Sequence, residues 1–320
     1  MQHPPITLSE KIEGRINMTR CLWKDFNALS KLVKNPYDIV SYRLGLRKKL
    51  DIKTIEGNTI KVTSQNEFAN AFRKLILFDK NRLNLYKYEL GKDKVVINGT
   101  NGDVAFTYQN DDDLNGIFGQ IGYFSSTEFD RLDVKDRITV DIGAFIGDTT
   151  ILFALQGAKH VYSFEPFPYC YGKLKDNIKA NRLEDRITPI NAGLDEMDHI
   201  VRIDNEYQNG SDDDIKASNT GVEVPLMSLD SLVKKYNIEN AVLKTNCEGG
   251  EYSILKAKKE TVRKFERMYI VYHYGYKHLV KFLKECGFEI VYLKKPTFNR
   301  DDVAEDKSMY IGNIQAKRIN

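Results

Sequence analysis

The chain has 320 residues, of which 42% are hydrophobic and 29% charged, and its formal net charge is +3 at pH 7. This composition is typical of a globular protein with a sizeable core, and the length allows two domains. The weak net charge, without a dense Lys/Arg stripe, predicts that nucleic acid is not a partner. No apolar run approaches the roughly 20 residues that span a membrane. The polar N-terminus lacks the apolar core of a signal peptide, so we expect a cytoplasmic location.

The cysteines and the acidic runs give no sign of a metal site. The four cysteines are widely spaced and form no CxxC pair, so we expect free buried thiols. Asp111–Asp113 and Asp212–Asp214 lack the spacing of an EF-hand and are interpreted as solvated loops. We therefore predict no bound metal.

Residues 1–135 mix helical and hairpin patterns. The elements predicted there are, in order, a loosely ordered stretch at 1–18, a helix from Thr19, a hairpin around Glu56–Asn58, a helix from Asn66 and a hairpin around Asn98–Gly102. Such a mixture does not make a repeating strand–helix–strand pattern. We interpret residues 1–135 as a helix-plus-hairpin unit that caps the main domain.

Strands and helices alternate in residues 136–320, the second predicted domain. Strands are predicted at 138–142, 160–164, 187–191, 241–245 and 268–272, and helices at 148–156, 168–181, 229–236, 251–265 and 276–286. This alternation is typical of an α/β fold with a doubly wound parallel sheet. Two consecutive strands, 288–293 and 309–314, predict a terminal antiparallel hairpin. A further hairpin at 200–224 has a polar, acidic tip, Asn205–Thr220, which we hypothesise to be a substrate lid.

A glycine turn follows the first strand of this domain, in the segment Asp141–Thr149. Gly143 and Gly147 remove side chains where the backbone must approach a ligand or adopt a positive φ. The free N–H groups of the following helix can bind a small anion such as a carboxylate. Asp141 lies at the carboxyl end of the strand, where it is an acidic partner for a cationic group. The spacing G-x-x-x-G differs from the dinucleotide fingerprint G-x-G-x-x-G.

Glu165 ends the next strand, and a carboxylate there can accept hydrogen bonds from both hydroxyls of a ribose. Glu165 and the glycine turn together suit a zwitterion that carries a nucleoside. S-adenosylmethionine has this pattern, with a ribose, a carboxylate, an ammonium and a sulfonium. The alternative is a tight turn that packs a core strand beside a solvated Glu165.

Polar residues also end the fourth and fifth strands. Lys244 and Asn246 lie at the end of the fourth strand, where they can meet a second substrate. Glu248 follows them and is three residues before Glu251, so either carboxylate is a candidate general base; the alternative is that both are first-turn helix residues favoured by the helix dipole. His273 ends the fifth strand and is a plausible base near neutral pH, although a lone histidine is more often a satisfied hydrogen-bonding group. His278, on the next helix, is interpreted as a structural or surface residue.

Four blocks in this order resemble the FkbM family of S-adenosylmethionine-dependent methyltransferases. The blocks are 140–149, 157–166, 224–232 and 243–251, and the likeness ends at His273. The resemblance implies a Rossmann-like sheet whose last strand is antiparallel, as in class I methyltransferases. It also implies O-methylation of a sugar or another hydroxyl-bearing metabolite, so that the partner is a small-molecule or glycan acceptor.

The resemblance also assigns roles to residues. The cofactor is expected to be held by Asp141, Gly143, Ala144, Gly147, Asp148, Glu165, Asn191 and Ala192, and the acceptor is expected to meet the catalytic candidates Lys244, Asn246, Glu248 and His273. The chain departs from the family at two positions: the family usually has Asp where this chain has Asn246, and commonly has Glu where it has Tyr272. An amide orients a hydroxyl but does not act as a base, so proton removal would fall to Glu248 or His273.

Two other functions fit the same residues. A catalytically degenerate domain that binds partners as a scaffold is supported by Asn246 and Tyr272. A nicotinamide-dependent oxidoreductase on a similar fold is disfavoured by the missing G-x-G-x-x-G and by the terminal strand pair.

Overall fold

A computed structural model describes residues 4–43, 46–47, 49–55, 57–62, 88–99, 102–109, 113–114, 116–117, 129–203, 221–300 and 308–319. The predicted helix from Asn66, the predicted lid at Asn205–Thr220 with its acidic run, and Asp111 and Asp112 lie outside the described residues.

The chain divides into two compact units. One comprises Met1–Pro5, Tyr86–Lys294 and Gly312–Asn320, and the other comprises Ile6–Leu85 and Lys295–Ile311. By contacts, residues 86–135 therefore group with the sheet that follows them. The predicted boundary between residues 135 and 136 stays a prediction about where the methyltransferase-like domain begins.

Within the described residues, the smaller unit contains two helices and a hairpin. Its elements are α1 (Leu8–Leu29), α2 (Pro36–Arg43), β1 (Leu50–Lys53) and β2 (Thr59–Val62). The two strands pair antiparallel, with Leu50 opposite Val62, which confirms the first predicted hairpin. Their buried side chains form a small core with Val33, Ile39 and Tyr42.

The prediction that residues 1–18 are loosely ordered was wrong, because α1 already begins at Leu8. Thr7 and Glu10 form a capping box at its first turn. The Thr7 N–H donates to Glu10 Oε2 at 2.9 Å, and the Glu10 N–H donates to Thr7 Oγ1 at 3.4 Å. These bonds satisfy N–H groups that the helix leaves unpaired at its start. The T-x-x-E signal is present in the sequence, whereas Thr19, the predicted cap, lies inside the helix.

The larger unit is built on a seven-stranded sheet. Its strands are β6 (Ile138–Ile142), β7 (His160–Phe164), β8 (Ile187–Ile190), β12 (Ala241–Thr245), β13 (Phe265–Tyr272), β14 (Phe288–Arg300) and β15 (Ser308–Arg318). Their order in the sheet is β14-β15-β13-β12-β6-β7-β8. The five strands from β6 to β8, β12 and β13 are parallel, and β15 is antiparallel to β13. The predicted fold class, an α/β doubly wound sheet with an antiparallel last strand, is confirmed.

Five helices flank or follow these strands: α3 (Asp148–Leu155), α4 (Pro168–Ala180), α5 (Leu229–Lys235), α6 (Lys259–Val262) and α7 (Lys277–Glu285). The single helix predicted at 251–265 was wrong. That segment contains a 3-10 helix, Gly250–Lys256, and the short α6, and β13 has begun by Phe265. Ala257 breaks the helix because its backbone is extended, with ψ 151°.

Two three-stranded sheets also lie in the described part of the larger unit. One has the order β3 (Tyr88–Leu90), β4 (Lys94–Gly99), β5 (Gly102–Thr107), and the other has the order β10 (His199–Ile203), β11 (Val222–Met227), β9 (Gly193–Leu194). The antiparallel pairs β4–β5 and β10–β11 confirm the predicted hairpins around Asn98–Gly102 and at 200–224. The first sheet is joined to α4, because Asn177 Oδ1 accepts from the Thr107 N–H at 2.8 Å.

Two predictions concern membrane-spanning segments and the state of the cysteines. No helix in the described ranges has both the length and the apolar composition needed to cross a bilayer. The four cysteines are free thiols, and the expectation that they are buried holds for Cys170 and Cys286 but not for the half-buried Cys21 and Cys247.

The capping box predicts a difference between two threonines of α1. Thr7→Ala removes a cap and should lower the free energy of unfolding by about 1 kcal/mol. Thr19→Ala is the matched control, because the Thr19 hydroxyl only donates back to the Arg15 carbonyl on the exposed face of the helix. Urea unfolding followed by far-UV circular dichroism measures both variants. Equal losses of stability would contradict the capping role of Thr7.

Candidate functional site

The glycine turn after β6 is held tightly against the end of β12. Gly143 has φ +74°, and a Cβ on it would lie 1.9 Å from the Asn246 carbonyl oxygen. The N–H groups of Gly143 and Ala144 both donate to the Phe164 carbonyl at 3.0 Å, and Gly147, with φ +94°, begins α3. Only glycine fits at position 143, because its neighbour there is backbone that cannot move aside. The turn thereby brings the predicted cofactor and acceptor segments together.

Two of the predicted site residues contact each other at this point. Asp141 and Lys244 are opposite one another in the pairing of β6 with β12, and Lys244 Nζ lies 2.8 Å from Asp141 Oδ1. Lys244 Nζ also donates to the Gly143 carbonyl at 2.8 Å. The hydroxyls of Thr149 and Thr150 both donate to Asp141 Oδ2 at 2.7 Å. The cation expected to meet Asp141 is therefore supplied by the chain itself.

The threonines were not among the predicted site residues. Their sequence signal is a pair of hydroxyl residues in the first turn of the helix after the glycine turn, where they can reach back to a carboxylate at the end of the preceding strand.

Glu165 and Asp148 are buried carboxyl groups beside the turn. The Glu165 carboxylate accepts from the N–H groups of Phe145 at 2.8 Å and Phe167 at 3.0 Å. Burial raises the pKa of Glu165 to about 8, and burial likewise raises the pKa of Asp148 to about 7. Among the described residues, no Lys, Arg or His forms an ion pair with either group. The two buried carboxyl groups beside the turn fit S-adenosylmethionine, which carries cationic groups and ribose hydroxyls.

Asn191 and Ala192 lie in the turn after β8. Asn191 Nδ2 donates to the carbonyls of Glu165 at 2.9 Å and Pro166 at 3.0 Å, and Ala192 is buried. The Asn191 side chain therefore ties the ends of β7 and β8 together next to Glu165.

Glu251, His273 and Glu248 form a continuous chain of contacts. His273 Nδ1 lies 2.9 Å from Glu251 Oε1, and His273 Nε2 lies 3.1 Å from Glu248 Oε2. Burial alone lowers the pKa of His273, but the two carboxylates outweigh it and raise the pKa well above its usual 6.5. Glu251 was predicted only as an alternative base to Glu248. Its contact with His273 was not predicted, because the two residues lie on different elements.

The positions that depart from the family have different surroundings. Asn246 Oδ1 is buried and, among the described residues, accepts no hydrogen bond. Tyr272 is fully buried, and its hydroxyl donates to the Lys294 carbonyl at 2.6 Å. His278 is exposed on α7, away from this cluster of contacts. No group of three or more His, Cys, Asp or Glu in the described ranges is arranged to hold a metal ion.

One family model matches part of the chain. Residues 141–290 match the family model of the methyltransferase FkbM domain. The predicted resemblance to the FkbM family is confirmed for these residues. The match to a methyltransferase family also confirms the predicted class of protein and, with it, S-adenosylmethionine as the cofactor. No curated protein sequence matches the chain.

Solved structures of methyltransferases are also similar to the chain, at low identity. TYW2 of M. jannaschii in complex with AdoMet has a TM-score of 0.38 and 17% identity, over 73% of this chain and 90% of that one. An rRNA methylase from Streptococcus thermophilus has a TM-score of 0.38 and 16% identity, over 61% and 95%. The complex of aTrm5 with tRNALeu has a TM-score of 0.37 and 16% identity, over 73% and 53%.

These neighbours correct one prediction. Nucleic acid was predicted not to be a partner, but the similar structures include methyltransferases of RNA, one of them bound to tRNA. The identities and TM-scores are too low to indicate which acceptor this chain uses.

The Asp141–Lys244 pair predicts a double-mutant cycle. Lys244→Met leaves the buried Asp141 without its cation and should cost about 3–5 kcal/mol of stability. The double variant Asp141→Asn/Lys244→Met should recover part of this loss, because no isolated charge remains. Lys259→Met is the control, since it breaks an exposed pair with Glu285, worth about 0–1 kcal/mol. Additive losses in the double variant would contradict a direct interaction.

Proposed function

We propose that residues 136–320 are an S-adenosylmethionine-dependent methyltransferase domain that O-methylates a hydroxyl of a sugar or small metabolite. The observation that carries the proposal is the pair of buried carboxyl groups, Glu165 and Asp148, at the glycine turn. A buried carboxyl group without a cationic partner costs free energy unless a ligand supplies the missing partner. A ligand with a ribose and positive charge meets that need.

The cofactor-binding roles follow the positions of the predicted residues. Glu165 would accept hydrogen bonds from the ribose hydroxyls, and the N–H groups of the glycine turn and of the start of α3 would bind the carboxylate. Asn191 and Ala192 would hold the adenine. Asp141 acts through Lys244, which holds the Gly143 carbonyl and thereby the shape of the turn.

The acceptor-binding roles belong to the end of β12 and to β13. S-adenosylmethionine supplies an electrophilic methyl group when bound. The end of β12 would hold the acceptor hydroxyl next to that methyl group, and a base of the chain would take the hydroxyl proton. The Asn246 amide orients the hydroxyl, and holding both reactants in line contributes up to about 7–11 kcal/mol.

The proposal is tested by following a radiolabelled methyl group from S-adenosylmethionine into cell-extract fractions. We expect label in the sugar and small-metabolite fraction with the wild-type chain, none with Glu165→Ala, and wild-type label with the exposed control Glu184→Ala. Label in the RNA fraction alone would overturn the proposed acceptor but keep methyl transfer. Cofactor binding without label in any fraction would favour the degenerate scaffold that Asn246 suggests.

The raised pKa of Glu165 predicts that cofactor binding depends on pH. At pH 7 a carboxyl group with a pKa of about 8 is mostly protonated, and it must lose its proton to accept both ribose hydroxyls. Binding should therefore release a proton, and the affinity should rise from pH 6 to pH 8.5, by at most tenfold per pH unit below the pKa.

Calorimetry in two buffers of different ionisation enthalpy measures the protons released. Glu165→Gln should bind the cofactor more weakly and with less dependence on pH. Asp148→Asn separates the contribution of the second carboxyl group, whose pKa is about 7. A Glu165→Gln variant with wild-type affinity and wild-type proton release would remove Glu165 from the cofactor site.

A further inference from the structure

We infer that Glu251 is a positioning residue which, through His273, holds the Glu248 carboxylate in place as the base of the methyl transfer. This inference rests on the proposed function and assigns the base that the sequence left open between Glu248 and His273. It also gives Glu251 a part in the reaction without contact with the substrate.

The first step of the inference depends on how many hydrogen bonds the imidazole ring can donate. Each ring nitrogen of His273 faces a carboxylate oxygen, Nδ1 at 2.9 Å from Glu251 and Nε2 at 3.1 Å from Glu248. With both carboxylates ionised, a neutral imidazole, which has one donor and one acceptor nitrogen, would set two acceptors against each other in one of these contacts. Only the imidazolium form donates to both. The direction of the His273 pKa shift agrees with this geometry.

A protonated His273 does not act as the base. Both its ring nitrogens carry protons that are donated to carboxylates, and its side chain is only 3% exposed. Glu251 is 0% exposed, whereas Glu248 is 21% exposed. Of the three groups, Glu248 is therefore the one whose carboxylate an acceptor hydroxyl can reach.

The backbone beneath Glu248 is also held by Glu251. Glu248 has φ +46°, an uncommon conformation for a residue with a side chain, and Gly249 has φ +107°. The Gly249 N–H donates to Glu251 Oε2 at 2.8 Å, and the His273 N–H donates to Glu251 Oε1 at 2.9 Å. One buried carboxylate thus fixes the turn that carries Glu248 and the imidazolium that orients its side chain.

The chemistry of the step is a simple proton transfer. The acceptor O–H bond breaks as its proton moves to Glu248, and the oxygen forms its bond to the methyl carbon as the bond to sulfur breaks. His273 keeps its proton throughout and stabilises the carboxylate until it is neutralised. Glu251 keeps its negative charge and compensates the imidazolium when Glu248 has become a neutral acid.

The first test needs no acceptor. Nitrogen NMR of the full chain with labelled histidine reports whether each ring nitrogen carries a proton, and the exposed His278 provides a reference signal. The titratable groups around the His273 ring among the described residues are Glu248, Glu251 and, through Glu251, the Cys247 thiol. We expect His273 to be doubly protonated at pH 7.5 and to lose this state in Glu251→Gln. A neutral His273 in the wild-type chain overturns the inference.

The second test measures methyl transfer to the labelled extract fraction. Glu248→Gln should lower kcat about 10²–10⁴-fold, as expected for loss of a general base, without changing the cofactor affinity measured by calorimetry. Glu251→Gln should also lower kcat, and the double variant should be no slower than Glu248→Gln, because Glu251 acts only through Glu248. Glu260→Gln, an exposed carboxylate on α6, is the matched control and should keep the wild-type rate.

The outcomes separate the two proposals. A chain that binds the cofactor but labels no fraction contradicts the proposed function, and the inference about a base then fails with it. An active chain in which His273 is neutral, or in which the effects of Glu248→Gln and Glu251→Gln multiply, overturns the inference alone. If Glu251→Gln does not fold, the NMR spectrum of the wild-type chain still decides the protonation state on which the inference depends.

Discussion

The ion pair between Asp141 and Lys244 is the interaction on which the site depends. It joins the central strands β6 and β12 at their carboxyl ends, and Lys244 extends it to the Gly143 carbonyl. A buried pair of charges is stable only with good geometry and further hydrogen bonds, which Thr149 and Thr150 supply. The glycine turn and the acceptor segment therefore hold each other in position before any ligand binds.

The carboxyl groups of the site differ in the charged groups that they contact. Glu248 and Glu251 both contact His273, and Asp141 pairs with Lys244, whereas Glu165 and Asp148 form no ion pair among the described residues. Burial raises the pKa values of Glu165 and Asp148, and the nearby positive charge of Lys244 offsets only part of this rise.

Much of the architecture was predictable because the local sequence shows the periodic pattern of apolar residues that each strand or helix buries. The five parallel strands, the hairpins of the described region and the strand-end positions of Asp141, Glu165 and His273 were all expected. The errors were local. The start of α1 was missed although the sequence contains its capping box. The segment after Glu251 was predicted as one helix because its apolar pattern does not distinguish a continuous α-helix from a 3-10 helix followed by a strand.

The sequence by itself determined the class of protein: a glycine turn, an acidic residue at the next strand end and four ordered blocks identify an FkbM methyltransferase domain. Only the tertiary structure decided which charges meet. Lys244, expected to face the acceptor, pairs with Asp141, and His273, a candidate base, lies between two carboxylates. Such contacts depend on strand register and on burial, which set the distances and protonation states of residues far apart in the chain, and no local pattern specifies either.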